Sequence, residues 1–282
     1  KKAANRALGG GLAGAAAMVI NVSTLMWMRT TVNYQYRYGM STGQALSALY
    51  NDGGRGLSGV LRFYKGYVPA LMQGPLSRFG DTAANAGMVT LLDSLESTKD
   101  LPVGLKTVAA SAAAASFRIV IMPIDACKTI MQVEGNRGIP SLLAKIRTSG
   151  PTVLWHGAGG AMGATFVGHY PWFAVYNYLN ANMTKYDRKT DLGMYLARNA
   201  VIGFAASAVS DTCSNSIRVL KTTKQTSTEA ISYPKALSMV IEKDGVMGLF
   251  TRGLSTKIVS NGLQGLLFSV LWRYIQDIIN KE

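Results

Sequence analysis

Small and apolar residues dominate three stretches, 10–22, 108–122 and 201–209, yet polar side chains interrupt each of them at intervals. None is the clean apolar run of about 20 residues that a simple spanning helix shows. Such interruption suits helices with one face toward lipid and the other toward a polar cavity. The periodicity predicts long helices over 8–36, 67–97, 103–133, 156–183, 192–225 and 254–280. It predicts short amphipathic helices over 41–51, 139–148 and 233–243. Turn signals fall where this arrangement needs them, at Asp52-Gly53-Gly54, Glu134-Gly135-Asn136 and Asp244-Gly245. The small residues let helix backbones approach closely in lipid, and by themselves they indicate packing rather than function.

The long segments repeat. Arg29, Lys128 and Lys221, near the ends of the first, third and fifth, lie 99 and 93 residues apart. A second marker keeps the same beat: Tyr64-Lys65-Gly66, Trp155-His156-Gly157 and Thr251-Arg252-Gly253 place their glycines 91 and 96 residues apart. Two unrelated signals with one period imply a threefold internal repeat, since such a unit buries its apolar face only against its neighbours. The units are 1–100, 101–190 and 191–282. The connections at 97–102 and 185–191 are too brief to separate domains, so 1–282 is expected to form a single domain.

Composition adds a membrane setting. The chain is 48% hydrophobic with 16% charged residues, whereas soluble domains carry about 25%. Net charge is +14. The basic residues form no single stripe or arm, which argues against nucleic acid; many follow the predicted ends of the first, third and fifth long helices, as the positive-inside rule requires. Cys127, Cys213, His156 and His169 lack metal-ligand spacing. No nucleophile elbow, phosphate loop or carboxylate pair appears, so neither an enzyme nor a cofactor or metal site is expected.

The sharpest segment is MPIDACKTIMQ, with Pro123, Asp125, Lys128 and Gln132. A proline bends a helix, and charges one turn apart beside the bend suit a gate closed by ion pairs between helices. With the aromatic-basic-Gly marker and the threefold period, this P-x-[DE]-x-x-[KR] signature resembles the mitochondrial carrier family over the whole chain. The resemblance implies an all-α membrane protein, a threefold pseudo-symmetric bundle of six transmembrane helices with three short matrix-side helices. It also implies a solute carrier of the mitochondrial inner membrane that moves a small metabolite by alternating access.

The departures are specific. In the first repeat Thr24 and Met26 stand for the proline and acid while Arg29 is kept; in the third, Ser216 and Arg218 stand for them while Lys221 is kept. Of the family's ring of acid-to-base pairs only Asp125 to Lys221 remains. Arg218 is expected to face Arg29 with like charge, unless the two are splayed or bridged by an anion. Asn33, Gln132 and Gln225, each four residues after the gate base, are positioned as a hydrogen-bonding brace. The opposite gate offers only Tyr176-Asn177 with Asn180, Trp272-Arg273 with Gln276, and Asn85, Ala86 and Val89, so no charge-pair ring is expected there.

The resemblance places substrate contacts at Gln73, Ala164, Thr165 and Ser260. This layer has no arginine, so a strongly anionic substrate is expected to lack its counter-charge. Arg118 and Asp211 occupy matching positions ten residues before Lys128 and Lys221. They hold the carboxylate and ammonium ends of a zwitterion, or Asp211 couples a proton, or the two form a permanent bridge. Arg78, His169 and Gln264 are further cavity candidates. Arg78 alternatively pairs with Asp81, and His169 alternatively packs as a hydrogen-bonded histidine.

The markers Lys65, Gly66, Gly157, Arg252 and Gly253 open the even helices, whose free amides favour phosphate. The resemblance therefore implies cardiolipin sites, with plain basic anchoring as the other reading. The degenerate gates leave a second functional reading open: a non-transporting, carrier-derived subunit of a larger inner-membrane complex.

Overall fold

The computed structural model describes the backbone of residues 2–187 and 190–279; side chains of 1–17, 78–79, 81–86, 89–90, 103–104 and 268–282 lie outside the description. Helices run over Lys2–Tyr38 (α1), Thr42–Asp52 (α2), Gly56–Arg62 (α3), Tyr67–Ser94 (α4), Val103–Glu134 (α5) and Gly138–Ser149 (α6). They continue with Ala158–Asn182 (α7), Leu192–Thr226 (α8), Tyr233–Asp244 (α9), Met247–Thr251 (α10) and Leu254–Ile279 (α11). All nine predicted helices are present. The additions are α3, α10 and two 3-10 turns, Gly135–Arg137 and Pro151–Trp155, which fill the predicted loops.

Local chemistry sets the ends. Ser41 caps α2 through a capping box with Gln44, and Ser232 caps α9 ahead of Pro234 in its first turn. Gly66 opens α4 at φ +82, and a Cβ there would meet the Lys128 carbonyl at 2.9 Å. Gly253 opens α11 at φ +64 against the Tyr36 ring. The marker glycines are therefore points where an even helix starts hard against an odd one.

Among the six long helices α1 touches α4, α4 touches α5, α5 touches α7, α7 touches α8, α8 touches α11, and α11 returns to α1, closing a ring. The widest contacts, α7 with α8, α4 with α5 and α1 with α11, join different repeats. These pairs bring together helices far apart in the chain as well as sequence neighbours. Two stretches, Leu105–Ser149 and Leu192–Thr226, are long and apolar enough to cross a membrane, with mean hydropathy 1.6 and 1.3. Large apolar side chains such as Val120, Tyr170, Val201 and Val259 remain exposed on the ring helices, an arrangement water penalises and lipid does not.

Candidate functional site

The ring encloses a cavity of about 430 Å³. At its floor, the Asp125 carboxylate lies between two lysines: Lys128 Nζ donates to Oδ1 at 2.7 Å and Lys221 Nζ to Oδ2. The pair expected from Asp125 to Lys221 is therefore formed, and Lys128, which Met26 leaves without an acid, turns back to the same carboxylate. Asp125 is buried, so this one acid holds two cations that would otherwise lack a counter-charge. Asn33 donates to Gln132 at 2.5 Å, and the Gln132 amide reaches the Met26 sulfur at 3.7 Å. Gln225 does not join this brace; its side-chain amide is buried without a partner, against Gly157. Pro123 lies within α5, which continues through it, and does not line the cavity.

The expected clash of Arg218 with Arg29 is resolved by splaying. Arg29 Nη2 donates to Gln264 Oε1 at 2.6 Å. Arg218 folds back along α8, donating to Ser214 and standing 3.9 Å from Asp211 Oδ1. Two hydrogen-bonded chains then climb the walls. In one, Lys128 donates to Gln73, Gln73 to Ser77, and Arg118 to Ser77 at 3.0 Å and to Thr165 at 3.2 Å. In the other, Lys257 donates to Asn261 at 3.0 Å, and Asn261 donates to Asp211 beside Arg218.

One expectation changes here. Among described ion pairs Asp211 takes Arg218, not Arg118, so the permanent Arg118–Asp211 bridge is not formed. The Asp211 carboxylate instead carries Asn261, with Arg218 beside it. Among the described residues, Arg29, Arg118, Lys128, Arg218, Lys221 and Lys257 line the cavity together with Asp125 and Asp211.

Of the other candidates, Gln73, Ala164, Thr165, Ser260 and Gln264 line the cavity. Arg78 lies outside the described side chains. His169 does not line the cavity: its Nδ1 lies 3.2 Å from Ser111 Oγ and its ring meets Phe173 edge-on at 6.0 Å, so it packs between α5 and α7. Lys257 and Asn261 went unrecognised in the sequence. Yet four residues after each marker glycine stand Ala70, Ala161 and Lys257, and a charge at a position where the other repeats have alanine was a readable signal.

At the far end, Asn180 is held by Arg198, which donates to its side chain at 2.9 Å and its carbonyl at 2.7 Å. The corresponding positions Asn85, Ala86, Val89, Trp272, Arg273 and Gln276 lie outside the described side chains.

The lipid markers divide. Arg252 is buried and donates to Asp244 at 2.7 Å and to the Tyr36 and Arg37 carbonyls at 3.3 Å each. It locks α11 to the end of α1 and is unavailable to a headgroup, because its guanidinium already caps a helix C-terminus. At the second marker, the Gly160 amide donates to the Tyr233 hydroxyl at 2.7 Å, so part of the α7 N-terminus beyond Gly157 is occupied. Burial, together with the Lys224 and Lys145 charges, holds the His156 imidazole below its ordinary value, leaving that marker uncharged at neutral pH. Lys65 stands half-buried beside Gly66.

Comparison with curated proteins finds no match. A protein-family model described as mitochondrial carrier protein matches residues 99–187 and again 193–282. These are the second and third repeats; the first lies outside the match, and the third is matched although Ser216 and Arg218 stand for its signature proline and acid. Well over half of the chain is thus covered in tandem. The chain belongs to the mitochondrial carrier family, whose members are solute transporters of the mitochondrial inner membrane rather than enzymes.

Proposed function

We propose that this carrier moves a small organic anion bearing two or more negative charges across the inner membrane. Six helices, two from each of three repeats, cross the bilayer around the central cavity and alternate its access. The observation that carries this reading is the charge of the cavity wall, where the described lining residues include six cations and two carboxylates. Charges at membrane depth mark functional positions, and a wall so rich in cationic donors suits an anionic substrate. Arg118, with Ser77 and Thr165 around it, is suited to one anionic group; Arg29 and Lys257 are suited to another. Of the candidate cardiolipin contacts we retain Lys65 and Gly66, because Arg252 and the Gly160 amide are engaged elsewhere.

Purified protein in liposomes tests this. Dicarboxylates, tricarboxylates and phosphate esters are expected to compete for uptake, while zwitterionic amino acids do not. Uptake of amino acids or cations with no response to multivalent anions would overturn the assignment. Absence of any uptake, with no substrate-induced thermal shift, would favour the non-transporting subunit.

A further inference from the structure

The three places where one repeat is fastened to the next, at the end carrying the short helices, are not equivalent. At the first, buried Arg62 donates to the Gln132 and Val133 carbonyls at the end of α5, at 2.9 and 2.7 Å, and to Asp52 at 2.6 Å. At the third, buried Arg252 does the same for the end of α1, with Asp244 as its acid. At the second, Lys145 is buried too and donates to the Gln225 carbonyl near the end of α8 at 3.2 Å. It forms no ion pair among the described residues.

The missing acid has an address. Asp52 and Asp244 are the last residues of α2 and α9, each followed by a glycine, and the same register on α6 is Ser149 followed by Gly150. The second junction therefore keeps the buried cation and lacks its carboxylate. A buried charge without a partner is strongly destabilising. Where the acid is missing lies a cavity of about 470 Å³, lined by Lys145 with Ser141, Ala144, Thr148, Ser149, Thr228 and Ala230. Glu229 stands exposed at its edge.

The geometry points to an oxyanion site in this cavity: a phosphate-type group, free or as a lipid headgroup, takes the place of the missing carboxylate against Lys145. An ammonium with one of its three donors used, in a cavity that serine and threonine residues help to line, matches a group that offers several acceptor oxygens. Such an anion completes the α6–α8 clasp as Asp52 and Asp244 complete the other two. Glu229 opposes it from the mouth, so its neutralisation strengthens binding. The site is separate from the central cavity and does not depend on what that cavity transports.

Thermal unfolding of the full-length protein in neutral detergent tests this, with inorganic phosphate titrated against chloride at equal ionic strength. Phosphate is expected to raise the midpoint by a few degrees. The response is expected to disappear in Lys145→Gln, to persist in the central-cavity variant Arg118→Gln, and to shift several-fold toward lower phosphate in Glu229→Gln. Ser149→Asp restores the acid at its register; it raises the midpoint without phosphate and abolishes the response, so the test does not rest on a variant that merely fails to fold. If phosphate is silent but mixed micelles containing phosphatidylglycerol give the same dependence on Lys145 and Ser149, the group is a lipid headgroup. A response lost in Arg118→Gln but kept in Lys145→Gln overturns the site, as does silence toward both probes.

Discussion

Asp125 is the single residue on which the cavity floor turns. It neutralises Lys128 and Lys221 together, whereas a full ring of signature acids would give each base its own. Removing one partner of a buried ion pair costs about 3–5 kcal/mol because the other charge is left behind, and here two charges are left. Asp125→Asn is therefore expected to lower stability by at least that much, and Asp125→Asn with Lys221→Met to regain part of it. Thermal unfolding measures both; a single variant as stable as the parent would show the lysines to be hydrated and the floor open. The sequence identified Asp125, Lys128 and Lys221 because their spacing repeats. It missed Lys257 and misassigned Arg252, for different reasons. Lys257 needed only a comparison across repeats at one further register. Arg252 carries a surface-like motif, and what buries it is a set of α1 carbonyls more than 200 residues away, a contact that no local spacing encodes.

Between elements, the informative contacts are side chain to backbone. The last carbonyls of a helix lack intrahelical donors, and α5, α1 and α8 each receive a cation from the preceding repeat at that end. Each such charge-assisted bond contributes about 1.5–3 kcal/mol. Arg62 makes two of them with one planar fork, a geometry lysine does not reproduce. Arg62→Gln is expected to destabilise the protein by several kcal/mol and Arg62→Lys to recover only part. Amide hydrogen exchange in the last turn of α5 locates the loss; unchanged protection there would show that the clasp does not hold α5. The helices themselves were legible, because caps, glycines and small-residue faces mark their bounds to within a few residues, apart from the start of α1. The short α3 and α10 were not: α3 has no side-chain cap and begins at Arg55, which is held at φ +62. Its position follows from the clasp that Arg62 makes with α5, a constraint from the next repeat.

For the molecule as a whole, three departures from threefold regularity push the same way. The first repeat loses its signature acid to Met26, the third replaces its acid with Arg218, and the third alone adds Lys257 to the cavity. Each change makes the interior more positive, so an enclosed ring ends with a formal surplus of four positive charges among its described lining residues. A cleft of one sign between low-dielectric walls concentrates counter-ions and speeds their entry by roughly 10-fold or more, an effect that falls with salt. The Debye length shrinks from about 30 Å at 0.01 M salt to about 8 Å at 0.15 M, which is short enough to hide the cavity floor from the mouth. For the anionic substrate, KM is therefore expected to rise several-fold over that range while kcat changes little. Lys257→Gln is expected to flatten the dependence, because it removes the cation that only the third repeat contributes. Uptake kinetics at graded ionic strength decide it. A KM indifferent to salt would mean that the surplus is already neutralised within the resting protein, and the selectivity for anions would then have to come from contact geometry alone.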